Sequence, residues 1–325
     1  MTLPTVNLGF SQISVGRLGL GGGGPSRLGT HGTLQNSDVA IAVVRRAIDL
    51  GITLIDTAES YGTEPHIAAA IRDLPASVRD TLVVCTKHAA FSGPGVPPRS
   101  ADDFIAGIEQ SIRTLGVDAI DLEQVHGVEP REYGHVRQEI LPALDRALDA
   151  GKIRHLGVTE MFQRDTQHKA MSRVLDDVST GAPWSSIMVG HNLLNQIAGN
   201  SIIPRARELR VATLGMFAVR RALSRPDRLA EIFAELAKDP RFDLALANGS
   251  DGAPLSWLLD YADSIPEAAY RFCLSEPAPD VILTGTGSIE HLEANVRAIE
   301  RGPLPAEALS RLRGAFGHVN TVTGH

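Results

Sequence analysis

Short apolar runs rich in Val, Ile and Leu alternate along the chain with longer segments in which apolar residues recur every three or four positions. The first pattern is typical of buried strands and the second of amphipathic helices. Eight strand and helix pairs follow one another, which predicts βαβ units on a parallel sheet. The predicted strands are Arg17–Gly22, Thr53–Ala58, Leu82–Lys87, Ile120–Val125, Ile153–Thr159, Ser186–Gly190, Val211–Gly215 and Val281–Thr284.

The first helical segment shows how these elements are bounded. We predict a helix over Asp38–Leu50, with Ser37 as its N-cap because a serine hydroxyl can accept a hydrogen bond from the first turn. Gly51 is predicted to end the helix, since glycine is favoured after a helix C-terminus. The predicted apolar stripe consists of Val39, Val43, Ala47 and Leu50.

Eight consecutive βα units close most simply into a (β/α)8 TIM barrel, and we expect residues 1–325 to form a single domain. Leu8–Val15 is predicted to form an N-terminal β-hairpin across the bottom of the barrel. The interval Ala218–Asp263 is a long insertion between strands 7 and 8, and connections of this length often contain helices of their own. Arg228–Leu236 is predicted to be one such helix.

The composition favours a small-molecule partner. The chain has 325 residues, 43% of them hydrophobic, and a net charge of -7 without a basic stripe, so neither nucleic acid nor an anionic membrane is an expected partner. No stretch approaches the roughly 20 apolar residues needed to span a bilayer. Cys85 and Cys273 both lie in apolar surroundings, which fits a reducing compartment, and we predict a cytoplasmic protein.

Four residues with proton-transfer chemistry come at the ends of predicted strands. Asp56 and Tyr61 belong to the run that ends strand 2, Lys87 ends strand 3 and His126 follows strand 4. Residues two apart share a strand face. By this rule Asp56, Lys87 and His126 are each the last residue on a face that bears short apolar or neutral side chains. We expect them to point into the barrel mouth, where barrel enzymes place their active sites.

These motifs resemble those of the aldo-keto reductase superfamily, from Gly16 to about Ile299. The matching segments are IDTAESYG with Asp56 and Tyr61, VVCTKH with Lys87, IDLEQVHG with His126, GKIRHLGV at 151–158 and ILTGTGSIEHLEAN at 282–295. The resemblance implies an NAD(P)-dependent oxidoreductase that interconverts a carbonyl (aldehyde, ketone or sugar) and an alcohol.

The resemblance also implies a role for each of the four residues. Tyr61 would be the general acid or base, and Lys87 would favour its phenolate, because a phenol with a pKa of about 10 is a poor acid at neutral pH. Asp56 would pair with the buried ammonium of Lys87. His126 would donate a hydrogen bond to the carbonyl oxygen.

The last βα unit resembles the phosphate-binding segment of the family. Its backbone N–H groups lie at a helix start, which suits a phosphate. The resemblance implies NADP as cofactor. NAD remains a possible alternative, because His291 stands where NADP-preferring relatives often have an arginine. The predicted phosphate-side residues are Gly285, Thr286, Gly287, Ser288, His291 and Asn295.

The predicted nicotinamide side departs from the family pattern. Relatives often have a Ser-Asn pair, a Gln and an aromatic residue here; this chain has Thr159 and Glu160, then Met188, then Met216 and Phe217. We expect Thr159 and Glu160 to hydrogen-bond the carboxamide and a side chain of the third group to lie against the ring. Arg220 is expected to pair with the pyrophosphate. The alternatives are that these residues belong to the core and that Arg220 is solvated.

Other functions remain open at this stage. One alternative is a nucleotide-binding regulatory or sensor protein with little turnover; another is an isomerase or lyase that uses Lys87 as a Schiff base. No metal site is predicted, because the histidines lack ligand spacing. The substrate would be shaped by loops 23–33, 91–100, 128–136 and 220–263, and the 5% aromatic content favours a small polar aldehyde or sugar. The sequence does not specify reaction direction or oligomeric state.

Overall fold

The computed structural model describes residues 3–11, 13–31, 36–93 and 95–325. Within these residues eight parallel strands close into a barrel in the order β10-β3-β4-β5-β6-β7-β8-β9, which confirms the predicted (β/α)8 TIM barrel. Each of the eight predicted strands coincides with a barrel strand. The strands are β1 (Thr5–Asn7), β2 (Ser14–Gly16), β3 (Leu18–Gly21), β4 (Leu54–Asp56), β5 (Val83–His88), β6 (Ile120–Val128), β7 (Ile153–Glu160), β8 (Ser186–Gly190), β9 (Ala212–Met216) and β10 (Val281–Thr284).

Helices surround the barrel and fill the connections between its strands. Short π-helical turns at Val136–Ile140 and Ala198–Ile202 precede two of them. The α-helices are α1 (Ser37–Asp49), α2 (Glu64–Ile71), α3 (Ala76–Arg79), α4 (Ala101–Leu115), α5 (Tyr133–His135), α6 (Leu141–Asp149), α7 (Lys169–Ser179), α8 (Ile203–Glu208), α9 (Arg221–Ser224), α10 (Pro226–Leu236), α11 (Leu244–Ala247), α12 (Ile265–Cys273), α13 (Ile289–Glu300) and α14 (Ala306–Phe316). None of the described helices is long and apolar enough to cross a membrane.

An N-terminal hairpin closes the bottom of the barrel, as predicted, but its first strand, Thr5–Asn7, lies before the predicted range Leu8–Val15. Strands β1 and β2 pair antiparallel on either side of a turn, with Val6 opposite Val15. Leu8 and Val15 are buried in one cluster with Leu54 and Val83, which begin barrel strands β4 and β5. The hairpin therefore covers the end of the barrel opposite to the carboxyl ends of the strands.

Helix α1 corrects two details of the prediction. It begins at Ser37, preceded by Asn36 in the left-handed conformation, so Ser37 lies inside the helix. Val39 is 42% exposed, because the face packed on the barrel is centred one position further along than expected. That buried face consists of Ala40, Val43, Val44 and Ala47. Gly51, with a φ of 87°, follows the helix end as predicted.

The insertion between β9 and β10 contains helices α9 to α12, including the predicted extra helix, which begins two residues earlier at Pro226. Aromatic side chains fasten it to the C-terminal helix. The Phe233 ring lies 5.6 Å from that of Phe242 and 5.9 Å from that of Phe316. The insertion is therefore a packed helical layer beside the barrel.

The strand faces follow the expected alternation. Leu54 and Cys85 pack in the barrel interior, whereas Val84 packs against the outer helices. Asp56 and Lys87 lie two residues beyond the interior positions and share their face, so both point inward at the carboxyl ends of their strands. The predicted inward direction of the two charged side chains is confirmed.

Candidate active site

A cavity of about 1170 Å³ opens at the carboxyl ends of the barrel strands. Its lining includes Gly21 at the end of β3, Asp56 at the end of β4 and Met216 at the end of β9. Tyr61, in a 3-10 turn at Glu59–Tyr61, also faces it. Loops at this end of a barrel can be varied without disturbing the core, which is why barrel active sites lie here.

Asp56 and Lys87 form a buried ion pair beside the cavity. Lys87 Nζ lies 2.5 Å from Asp56 Oδ1 and donates a hydrogen bond of 2.6 Å to the backbone oxygen of Thr57. Burial alone would lower the pKa of Lys87, but the charges of Asp56 and Tyr61 outweigh it and raise that pKa above its usual value. Lys87 is therefore an ammonium ion, which disfavours the Schiff-base alternative, because that chemistry needs a neutral amine.

The phenol of Tyr61 contacts His126 across the mouth. The hydroxyl lies 3.2 Å from His126 Nε2, and the two rings meet edge to face. Burial lowers the pKa of His126 to about 3, and the positive charges of Lys87, His88 and Arg27 act in the same direction. The imidazole is therefore neutral at physiological pH, and it can donate or accept one hydrogen bond at Nε2.

Burial raises the pKa of the Tyr61 phenol above its ordinary value. Lys87, whose Nζ lies 5.2 Å from the ring centroid, acts in the predicted direction and lowers that pKa, but its effect is smaller than that of burial. The predicted effect of Lys87 on the phenolate is therefore present, but desolvation of the buried phenol outweighs it. Tyr61 is a protonated donor whose conjugate base would lie beside a fixed cation.

A salt bridge behind Tyr61 holds the turn that bears it, and sequence reasoning missed this contact. Glu59 accepts hydrogen bonds of 2.7 and 3.0 Å from both terminal nitrogens of Arg99, and one of 3.4 Å from the backbone N–H of Ala89. Ala89 directly follows β5, the strand of Lys87. Glu59 therefore ties the turn of Tyr61 to the strand end of Lys87.

The predicted phosphate-side residues all line the cavity: Gly285, Thr286, Gly287, Ser288, His291 and Asn295. Ser288 caps α13 by accepting from the N–H of His291. The Thr286 hydroxyl instead accepts from the N–H of Ser288 and closes the loop on itself. These two bonds occupy the N–H groups of Ser288 and His291, so the other backbone N–H groups of the loop and helix start are the donors for a phosphate.

Two glycines bring this loop against the loop that follows β3. A Cβ atom on Gly287 would lie 2.5 Å from the Cα of Gly29, closer than any real contact. Val39, the exposed residue of α1, lines the cavity beside them. A long groove with a glycine-walled, N–H-rich end fits a dinucleotide, because phosphates need close approach to backbone donors.

The nicotinamide-side prediction divides into two groups. Met188, Met216, Phe217 and Arg220 line the cavity. Phe217 has a φ of 70°, which is unusual for a residue with a side chain, and the Arg220 guanidinium lies 3.7 Å from its ring centroid. Residues with unusual backbone angles of this kind concentrate at binding sites, where the surrounding structure holds them in place.

Thr159 and Glu160 do not line the cavity, contrary to the prediction. Thr159 donates a hydrogen bond of 2.7 Å to the side chain of Gln124 inside the barrel. Glu160 points to the outer face of β7, where its carboxylate contacts His168 Nδ1 at 2.9 Å and accepts from the N–H of Gly190 at 2.7 Å. Alternation accounts for this, because Glu160 shares its face with Val158, which packs against the outer helices.

Three residues of the predicted mouth loops, Gly32, Thr33 and Pro94, lie outside the described residues. In the part of the chain that the structure describes, no group of three or more His, Cys, Asp or Glu residues is arranged to hold a metal ion.

Comparisons with known proteins agree with the fold and with the motifs. The sequence model of the aldo/keto reductase family matches residues 17–315. The aldo-keto reductase YhdN of Bacillus subtilis (strain 168) is 29% identical over 301 residues, which span 87% of this chain and 84% of that protein. Pyridoxine 4-dehydrogenase of Escherichia coli (strain K12) is 26% identical over 97% of this chain and 99% of its own length.

Two solved structures share the fold. The aldo-keto reductase AKR11C1 from Bacillus halodurans, in its holo form, has a TM-score of 0.72 and 23% identity, with 99% of this chain and 100% of that chain covered. An aldo-keto reductase from Klebsiella pneumoniae in complex with NADPH has a TM-score of 0.66 and 22% identity, with 99% of each chain covered. The resemblance indicated by the motifs is thus confirmed, and the chain belongs to the aldo/keto reductase family of NAD(P)-dependent oxidoreductases.

Proposed function

We propose that this chain interconverts a small carbonyl compound (an aldehyde, ketone or sugar) and an alcohol, with NADP as cofactor and Tyr61 as general acid or base. One observation supports this most strongly: the hydroxyl of Tyr61, which lines the cavity, meets a neutral His126 at 3.2 Å. The ion pair of Lys87 and Asp56 lies beside them. A protonated phenol, a neutral imidazole and a fixed ammonium suit proton transfer to a carbonyl oxygen.

Each residue has a distinct part in the proposed reduction. Tyr61 donates its proton to the carbonyl oxygen, and Lys87 stabilises the phenolate that remains. Asp56 holds the ammonium in place, so little reorganisation is needed as charge develops. His126, as the tautomer protonated at Nε2, donates a second hydrogen bond to the same oxygen. In the oxidation direction Tyr61 accepts the proton.

Several cavity residues would hold the cofactor, which supplies or accepts the hydride when bound. The loop from Gly285 to Ser288 would bind phosphate through its backbone N–H groups, and Arg220 would pair with the pyrophosphate. Met188, Met216 and Phe217 offer apolar and polarisable surface to the nicotinamide ring. The NADPH complex of the Klebsiella pneumoniae protein supports NADP, whereas His291 in place of an arginine leaves room for NAD.

A Tyr61→Phe variant tests the assignment directly. We expect kcat/KM to fall by about 10²–10⁴-fold, because the proton donor is lost, while the Kd for NADPH stays within about twofold. Turnover is followed by absorbance of the reduced nicotinamide, with NADPH and NADH compared. The panel contains aldehydes and sugars, and pyridoxine in the oxidation direction, the substrate in the name of the Escherichia coli relative.

Tyr261→Phe is the matched control. It removes the same hydroxyl group from a tyrosine that does not line the cavity. If Tyr61→Phe retains the turnover of this control, Tyr61 is not the general acid.

A sensor with little turnover is the second candidate. The observation that favours it is the nicotinamide side, where Glu160 points to the outer face of the barrel, the Thr159 hydroxyl is bonded to Gln124 and Met188 offers no amide. Micromolar or tighter binding of NADPH, with no turnover of any carbonyl in the panel, would support the sensor over the enzyme.

We also propose a cytoplasmic location. Cys85 and Cys273 are free and buried in the described structure, as expected of a protein kept in a reducing compartment. Cell fractionation followed by thiol labelling of the unfolded protein checks the location and the redox state together.

A further inference from the structure

Arg27 lies over the phenol of Tyr61, and neither the motifs nor the proposed mechanism uses it. Its guanidinium carbon is 5.3 Å from the centre of the Tyr61 ring. Nη1 donates a hydrogen bond of 2.8 Å to the backbone oxygen of Ser60. Among the described residues no carboxylate forms an ion pair with Arg27, so most of its N–H groups are available to a ligand.

The backbone around Arg27 adopts a conformation that side chains usually avoid. Arg27, Leu28 and His31 have φ angles of 43°, 58° and 52°. Leu28 is fully buried, and Gly29 beside it rests against Gly287 of the phosphate-side loop. Left-handed residues persist only where the surroundings hold them, and they concentrate at ligand sites. Packing therefore holds Arg27 over the phenol in spite of strain.

The charge of Arg27 is locally uncompensated. Lys87 is paired with Asp56, whereas Arg27 keeps its positive charge, in a chain with a net charge of -7. Arg27 is not itself part of the cavity lining but lies directly beside Tyr61 and Ser26, which are. Arg220, which lines the cavity, has no carboxylate partner among the described residues. A guanidinium at the rim of a cavity attracts carboxylates and phosphates, and its planar fork can bind two of their oxygens.

We propose that the carbonyl substrate bears an anionic group, a carboxylate or a phosphate monoester, and that Arg27 recognises it. This inference rests on the proposed function, because it concerns the substrate of the same site. Arg27 is a specificity residue: it binds the anionic end while Tyr61 and His126 meet the carbonyl oxygen.

Matched pairs of substrates test the proposal. One pair is 4-carboxybenzaldehyde and its neutral methyl ester; the other is glyceraldehyde 3-phosphate and glyceraldehyde. We expect the wild-type chain to prefer the anionic member of at least one pair by about tenfold or more in kcat/KM. The pair that shows the preference identifies the anion as a carboxylate or a phosphate.

Arg27→Gln is expected to remove that preference. The kcat/KM for the anionic member should fall about tenfold or more through KM, with the neutral member and the Kd for NADPH within about twofold of wild type. Arg27→Lys should keep part of the preference, since the charge remains but the fork is lost. Arg72→Gln is the control, because Arg72 is exposed at the end of α2 and its loss changes the net charge equally.

Three results would overturn the proposal. An equal loss on both members of a pair would show that Arg27 acts through the pKa of Tyr61. A weaker Kd for NADPH would assign Arg27 to a phosphate of the cofactor. A wild-type chain that turns over carbonyls without preferring an anion would leave the proposed function intact and refute this inference alone.

An absence of turnover with every carbonyl would refute the proposed function. Recognition of an anion is then tested by calorimetric binding measurements. The probe is 4-(hydroxymethyl)benzoate, compared with its methyl ester, on the NADP-saturated protein. Binding of the acid that is stronger than that of the ester, and lost in Arg27→Gln, supports recognition of an anion; equal binding of the two refutes it.

Discussion

Two of the buried acid–base pairs beside strand ends of this barrel, Asp56 with Lys87 and Glu160 with His168, differ in that only the first faces the cavity. Asp56 and Lys87 end or nearly end β4 and β5 and meet at 2.5 Å beside the cavity. Glu160 ends β7 and meets His168 at 2.9 Å on the outer side of the barrel wall. All four side chains are at most 5% exposed, so burial does not distinguish the pairs. The strand face does, because successive side chains point to opposite sides.

The comparison shows that a buried acid–base pair is not by itself a sign of catalysis. Both carboxylates are desolvated, and both are satisfied by a cationic or hydrogen-bonding partner. Asp56 and its ammonium adjoin the phenol of Tyr61, whereas Glu160 joins its strand to the segment before α7 and to the N–H of Gly190. We therefore expect loss of the first pair to affect turnover and loss of the second to affect stability.

Asp56→Ala is expected to have the largest effect. It leaves the Lys87 ammonium buried without its carboxylate, which should lower the free energy of unfolding by about 3–5 kcal/mol. Turnover should fall by about 10²-fold or more, because the cation beside Tyr61 loses its fixed position. Urea unfolding and steady-state kinetics measure the two effects.

The double variant Asp56→Leu/Lys87→Met separates stability from chemistry. Replacing both charges with apolar groups should restore most of the stability, since such replacements of buried pairs are often neutral. Turnover should stay low. Recovery of turnover in the double variant would contradict the assigned role of Lys87.

Glu160→Gln should have a smaller effect, confined to stability. The hydrogen bond with His168 is weakened while the shape is kept, which should lower the free energy of unfolding by about 1–3 kcal/mol. The Kd for NADPH should stay within about twofold, because Glu160 does not line the cavity. Met188→Ala, a change at the cavity wall, is the contrasting variant. Weaker NADPH binding in Glu160→Gln at unchanged stability would show that Glu160 meets the cofactor after all.

Acidification is expected to destabilise the folded chain through its buried histidines. Burial lowers the pKa of both His126 and His191 from 6.5 to about 3, so the folded chain keeps them neutral where the unfolded chain protonates them. Their stabilising effect is complete above pH 6.5 and is lost as the pH falls towards 3, by about 1.4 kcal/mol per pH unit for each proton taken up. The raised pKa values of Glu123 and Glu160 act in the opposite sense.

His191→Leu isolates one of these protons. The slope of unfolding free energy against pH between 6.5 and 4 should be shallower in this variant than in wild type by about 1.4 kcal/mol per pH unit. Urea denaturation at four pH values measures it. Parallel slopes would mean that His191 is protonated in the folded chain.

The proposed catalytic half of the site was visible in the sequence because its evidence is local. The run from Asp56 to Tyr61 and the position of Lys87 at a strand end are visible in the sequence, and alternation places them on one face. The same rule, applied to β7, would have put Glu160 on the outer face with Val158. Arg99 and its contact with Glu59 left no such signal, because 40 residues separate the partners.

The sequence by itself determined the barrel, the strands and the inward face that ends in Asp56 and Lys87, since periodicity and alternation act between near neighbours in the chain. Only the tertiary structure decided that Arg27 lies over Tyr61, that Glu160 pairs with His168, and that burial raises the pKa of the phenol. These outcomes depend on which distant segments exclude water from a group and which charges they bring to it, and no local pattern encodes that.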